Sequence, residues 1–188
     1  MKLLLTSDGL SSKKIKKEFL RLLDKPAAEN KILVMHTWQN IKTIVKGLIT
    51  LGIKKENIIS VNIRHKVSKI PEFDVFYSLG GNTFYILDRV RKTGFDKIIK
   101  KSIKQGKLYI GLSAGSILIG PDISISFDEN SGFSTKGLNL IKIIISPHFN
   151  KKRVPRIKSF IKKMRYPIVP LKDKQALLIN GKTKRLIK

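Results

Sequence analysis

Short apolar runs alternate with helical periodicities along most of the chain. Residues 3–6 form a first strand-sized run. Ile15, Phe19, Leu22 and Leu23 then recur at the spacing that stacks side chains on one helix face, with Ser11 or Ser12 placed to cap its start. A run over 31–35 precedes a second amphipathic set, Ile41, Ile44, Val45, Leu48 and Ile49, which stops at Gly52. Runs over 57–63 and 73–79 predict a third and a fourth strand. Segments 83–91 and 95–105 predict helices, and 107–110 predicts a fifth strand. Repeated strand–helix alternation predicts a three-layer α/β/α architecture, a mostly parallel central sheet with helices on both faces. In such sheets ligands bind outside the carboxyl ends of the strands. His36-Thr37, Gly80-Gly81-Asn82 and Ser113 fall there.

The pattern changes past residue 120. Residues 122–128, 140–146, 166–171 and 176–180 read as strands, with one basic helix near 154–164. Asn180-Gly181 carries a turn signal and predicts a C-terminal β-hairpin. No repeat, low-complexity linker or shift in composition divides the chain, so residues 1–188 read as one domain with a full hydrophobic core.

Candidate chemistry centres on Gly111-Leu112-Ser113-Ala114-Gly115. This Gly-x-Ser-x-Gly follows one predicted strand and precedes Ile117-Leu118-Ile119, the setting of a nucleophile elbow. Flanking glycines permit a sharp turn that exposes the serine hydroxyl, and the Ala114 amide at the helix start could hold an oxyanion. Small turn residues also cluster in ordinary strand–helix loops, so the context has to carry the motif. A serine needs a base, and the base an orienting acid. Of three histidines, His65 lies in a basic connecting segment and His36 ends a predicted strand, where a loop role is the simpler reading. His148 follows an apolar strand and Pro147, whose ring stiffens the backbone behind the imidazole, and is the best base candidate. Asp128 and Asp173 each end a predicted strand, and spacing does not choose between them as the acid.

Charge changes the picture little. Lys and Arg number 39 against 13 acids, a formal charge of +26, which would attract nucleic acid or anionic membrane. The lysines are spread over outer helix faces, such as Lys13, Lys14, Lys16 and Lys17 or Lys97, Lys100, Lys101 and Lys104. No Arg-rich arm or nucleic-acid motif accompanies them. A solvated basic surface is therefore expected, without nucleic acid as partner. No apolar run reaches the ~18 residues of a membrane span. The opening Met1-Lys2-Leu3-Leu4-Leu5-Thr6-Ser7 is too short for a signal peptide. With no cysteine there is no disulfide framework or thiolate metal site, and a cytoplasmic protein without metal or cofactor is expected.

Several collinear segments resemble the serine peptidase family of peptidase E (aspartyl dipeptidase) and cyanophycinase. They are Leu4-Leu5-Thr6-Ser7-Asp8-Gly9-Leu10-Ser11, Leu79-Gly80-Gly81-Asn82-Thr83-Phe84 and Tyr109-Ile110-Gly111-Leu112-Ser113-Ala114-Gly115-Ser116. Gly120-Pro121, Gly137-Leu138-Asn139-Leu140, Ser146-Pro147-His148-Phe149 and Arg153-Val154-Pro155-Arg156-Ile157 continue the likeness. The resemblance implies a fold related to class I glutamine amidotransferases, with Ser113 as nucleophile and His148 as base. It implies Asp173 or Asp128 as the acid, with Asp173 favoured because it follows the histidine from a neighbouring strand. It implies Gly81 and Ala114 as the oxyanion hole, Asn82 as a substrate contact, and Arg153 as the grip on a substrate carboxylate. The implied activity is hydrolysis of small peptides, above all dipeptides with an N-terminal Asp, through an acyl-enzyme. The implied partner is a small acidic peptide, with room left for a homodimer. Two departures stand out: only Asn150-Lys151-Lys152 separates Phe149 from Arg153, where peptidase E has a longer loop, and residue 173 is Asp where the family carries Glu. They motivate a second reading, a catalytically weak binding or regulatory protein on an amidotransferase-like scaffold.

Overall fold

Strands without polar alternation fold as interior strands, and the first two elements of the sheet follow that rule. In the computed structural model, which describes residues 1–38, 40–67, 69–126 and 134–188, β1 (Lys2–Thr6) is buried from Leu3 onward and β2 (Ile32–His36) throughout. They join β3 (Ile58–Asn62), β4 (Val75–Ser78), β5 (Leu108–Leu112), β8 (Ala176–Asn180) and β9 (Thr183–Ile187) in a seven-stranded sheet of order β3-β2-β4-β5-β1-β8-β9. Strands β1 to β5 pair in parallel, and β8 runs antiparallel to β1. The predicted hairpin is β8–β9, turning at Gly181 with φ 58°.

Helices cover both faces. Leu4, Val34, Tyr77, Ile110 and Leu178 meet α1 (Lys13–Leu22) and α2 (Lys42–Thr50) through Ile15, Phe19, Leu22 and Leu48. Alternate residues, Leu3, Leu5, Leu33, Met35, Phe76 and Tyr109, face α3 (Thr83–Lys92) and α4 (Phe95–Lys104). Phe76 stacks on Tyr109 at 5.6 Å between ring centres and meets Phe95 edge-on. Ser12 caps α1 by accepting the Ile15 amide. Lys13, Lys14, Lys17, Lys97, Lys100, Lys101 and Lys104 are exposed on outer helix faces, as the charge pattern predicts. No helix among the described residues is long and apolar enough to cross a membrane.

The sheet register sets the level of the loops. Thr6 pairs with Leu112, and Ser78 with Gly111, so the segments leaving β1, β4 and β5 open side by side.

The second half departs from the sequence pattern. β6 (Ile144–Ser146) and β7 (Ile168–Pro170) form their own two-stranded parallel sheet. The run from 140 becomes a strand only at Ile144, because the Leu140 and Ile141 amides donate to the Ile119 carbonyl instead of a ladder. The strand expected from 122 is a single bridge at Asp122 followed by a turn. The Asp122 carboxylate takes the Ser124 amide, and the Ser126 amide closes on Ile123 O. The rest of that stretch, with Asp128, lies outside the described residues. Phe84, Leu87, Ile117, Ile144 and Ile157 form a third core joining α3, α5 (Ala114–Ile117), β6 and α6 (Val154–Lys163).

Candidate active site

The chain reverses between β5 and α5 in one residue. Ser113 has φ 49° and ψ −108°, a conformation that L-residues with a side chain rarely adopt. Surrounding bonds hold it there. The Ser113 amide donates to Thr6 O at 3.1 Å, and the Ser116 hydroxyl reaches Thr6 O and Gly111 O at 2.9 and 2.8 Å. The Tyr109 hydroxyl donates to Gly115 O at 2.7 Å, and burial pushes its phenol above the ordinary range, so it stays a neutral donor. Close approach explains the motif's last glycine: a Cβ on Gly115 would lie 2.3 Å from the Ser78 carbonyl oxygen. That carbonyl belongs to backbone and cannot swing away.

His148 is presented from the other small sheet. It follows β6 and Pro147 with φ 54°, again left-handed. Its Nε2 lies 3.0 Å from Ser113 Oγ, and its Nδ1 2.7 Å from Asp173 Oδ1. Asp173 sits in the turn between β7 and β8, beside Lys174 with φ 63°. Burial alone would raise the Asp173 pKa. Hydrogen bonds from Ser7 and His148, with the charge of Arg153, outweigh it and hold the carboxyl below its ordinary range. An ionised carboxylate only accepts, so Nδ1 carries the imidazole proton and Nε2 is left to accept from the Ser113 hydroxyl. The three side chains thus form a row in which a proton can leave the serine oxygen for the ring nitrogen. Both His148 and Asp173 keep contact with water, with side chains 42% and 61% exposed.

The remaining expected residues lie on the elbow itself, on the loop after β4 and just past the His148 turn. The Ala114 N–H belongs to the first turn of α5, where an amide has no intrahelical acceptor. The Gly80-Gly81 loop lies against the elbow: a Cβ on Gly80 would come within 3.3 Å of Ser113 Cβ. Gly81 has φ 141° and borders Thr37 and Trp38. The Asn82 side-chain oxygen caps α3 by accepting the Tyr85 amide at 2.8 Å. Arg153 donates from Nη1 to Pro147 O at 2.6 Å, which ties its guanidinium to the residue before His148 and within electrostatic reach of Asp173.

The other histidines are elsewhere. His36 is buried, bonded to Trp38 O and Ser60 Oγ at 2.9 Å each, and burial lowers its pKa. His65 is exposed in a turn. Of the two acids left open by spacing, Asp173 reaches the imidazole. Sequence reasoning did not single out Ser7, whose hydroxyl donates to Asp173 Oδ1 at 2.9 Å and accepts the His148 amide at 2.8 Å. The available signal was its place, in a polar run just past the carboxyl end of an interior strand. Among the described residues no cluster of His, Cys, Asp or Glu could hold a metal ion.

Comparison with known proteins places the chain among peptidases. An uncharacterized peptidase of Listeria monocytogenes is 33% identical over 155 residues, covering 75% of this chain and 76% of that one. Peptidase E of Escherichia coli is 34% identical over 121 residues, covering 62% of this chain but 51% of the relative, about half its length. A solved structure from Listeria monocytogenes, provisionally assigned as a peptidase E, superposes with a TM-score of 0.80 at 25% identity, over 100% of this chain and 98% of that one. A peptidase from an acI-B1 actinobacterium shares the fold, with a TM-score of 0.68 at 15% identity over 99% and 86% of the two chains. The profile of peptidase family S51 matches residues 3–187, and the chain belongs to that family.

Proposed function

We propose that this peptidase hydrolyses small peptides, chiefly dipeptides with an N-terminal Asp, through an acyl-enzyme on Ser113. One observation carries the reading: the hydrogen-bonded row Ser113–His148–Asp173 built on a strained elbow. Ser113 Oγ attacks the scissile carbonyl while His148 Nε2 takes its proton. The same nitrogen returns the proton to the leaving amine, then activates water for deacylation. Asp173 keeps the imidazole in the required tautomer. The amides of Ala114 and Gly81 would receive the oxyanion, each worth about 3 kcal/mol in the transition state. Asn82 flanks that hole. Arg153, near the same turn, is the cation that the family likeness assigns to the aspartyl carboxylate, a planar group suited to bidentate pairing. The excess of Lys and Arg, +26 overall, favours encounter with acidic peptides, an effect that salt screens.

The test is turnover of an aspartyl dipeptide and of an Asp anilide by the purified chain. Ser113→Ala is expected to remove at least about 10³-fold of kcat while leaving the fold intact. A serine-directed phosphonate should label Ser113. Equal turnover by the alanine variant would sink the serine mechanism. Turnover of other dipeptides at the same rate would sink the Asp preference alone.

A further inference from the structure

We infer that Ser7 is a positioning residue of this reaction, its hydroxyl fixing the Asp173 carboxylate and the His148 backbone relative to the sheet that carries Ser113. The inference rests on the serine-peptidase reading above. It starts from a mismatch in the fold. Ser113 hangs from the large sheet, since β5 lies beside β1 and the Ser113 amide donates to Thr6 O. His148 follows β6 of the separate two-stranded sheet, and Asp173 lies in the turn that leads from β7 of that sheet into β8 of the large one. A proton transfer over 3.0 Å therefore depends on the alignment of two sheets that share no ladder. Ser7 stands at the join, one residue past β1 and fully buried.

The donor count gives its two bonds one direction. A hydroxyl has a single hydrogen. The His148 amide, 2.8 Å away, can only donate, so it takes a lone pair of Ser7 Oγ. The hydrogen is left for Asp173 Oδ1 at 2.9 Å, the same oxygen that accepts the hydrogen bond from His148 Nδ1–H. Neighbouring bonds grip the acid's turn from both sides. The Ser7 amide donates to Gln175 O at 3.1 Å, and the Asp8 carboxylate accepts the Lys174 amide at 2.9 Å. Such bracing is needed, because His148 and Lys174 both hold left-handed backbone that their side chains disfavour. A short Asp side chain adds to the need: with its carboxylate close to the main chain, any backbone shift moves the acceptor by nearly the same amount.

The test compares Ser7→Ala and Ser7→Thr with the parent chain, with Ser113→Ala run alongside. Ser7→Ala is expected to lower kcat by about 10- to 100-fold, the scale of a small misplacement of reacting groups, with KM within about twofold. The acid limb of its kcat/KM profile should move to higher pH. A carboxylate that has lost one donor binds the charged imidazole more strongly, while the other charged groups around it, Arg153 and Asp8, are unchanged. Ser7→Thr keeps the hydroxyl and should recover most of the lost rate. A Ser7→Ala enzyme with kcat within twofold of the parent overturns the inference. So does a rate loss with an unmoved limb, which marks a space-filling role. Should Ser7→Ala fail to fold, Ser7→Cys replaces it: a folded cysteine variant well below the threonine variant in rate supports the inference, and equal rates overturn it. Loss of activity in Ser113→Ala beside a normal Ser7→Ala removes only the role of Ser7. Full activity in Ser113→Ala removes the peptidase mechanism on which it rests.

Discussion

The two ends of the central sheet are built on opposite terms. At the amino ends, a cleft of about 310 Å3 is lined by Asp24, Lys25, Lys31, Asp74 and Lys107 among others. Its contacts are ordinary surface chemistry. Lys25 Nζ pairs with Asp74 at 2.8 Å, and Lys107 donates to Phe73 O while lying over the Phe73 ring. At the carboxyl ends, strain is concentrated instead: Ser113, His148 and Lys174 are three of the four non-glycine residues with positive φ among those described. Volume does not find the site, since this cleft holds none of Ser113, His148 and Asp173. Strained backbone, over-determined by hydrogen bonds, marks the end where side chains are held against their local preference. Substitutions at the carboxyl end should therefore act on rate, and those at the amino end on stability alone.

The largest expected break is at Gly115. Its substitution by alanine drives a Cβ to 2.3 Å from a backbone oxygen, so either the elbow or β4 must move. Gly115→Ala should lose about 3 kcal/mol of stability or more, with hydrolysis abolished. Urea unfolding and a dipeptide assay measure both. A stable variant that still hydrolyses would show the elbow to be less rigid than its contacts imply. Next comes Asp173→Asn, which leaves shape intact but lets the imidazole take the wrong tautomer. Loss of a buried triad acid in this way costs about 10⁴ in kcat, and the half-open Asp173 should cost less, about 10²-fold, because water can stand in for it. Stability should change little. An unchanged kcat would reassign the acid.

How much of this could be read beforehand follows from the range of each interaction. The first half was legible because each strand and its helix are local in sequence: the runs over 3–6, 31–35 and 107–110 became β1, β2 and β5 with shifts of a residue or two. The elbow was legible because steric need leaves a local trace, a small residue on each side of Ser113. The choice between Asp128 and Asp173 was not, since it depends on how the turn after β7 meets β1, a contact across 166 residues. Nor was the separation of β6 and β7 from the main sheet. Their apolar runs look like any buried strands, and only the competing bonds of Leu140 and Ile141 to Ile119 O show why the strand starts late. Ser7 left no chemical signature, because a serine after a strand is ordinary until its two partners are in place.

Asp74 gives the smallest effect and the cleanest contrast. Burial alone would raise its pKa. The Lys25 ammonium and the Lys31 amide, bonded at 2.8 and 2.9 Å, outweigh that, and nearby Lys107 adds to the fall. A carboxyl whose pKa is lower folded than unfolded stabilises the folded state above its unfolded value of about 3.9, and loses that contribution as pH falls through the folded value. Asp74→Asn keeps an acceptor for the Lys31 amide and removes only the charge, so at pH 7 it should cost about 0.5–1 kcal/mol, the range of exposed pairs. The gap between variant and parent in urea unfolding should shrink on acidification below pH 4 and close once the parent carboxyl is protonated, while kcat/KM at pH 7 stays equal. A gap that persists in acid would mean that packing, not charge, holds this corner. A change in kcat/KM would mean that the two ends of the sheet are coupled after all.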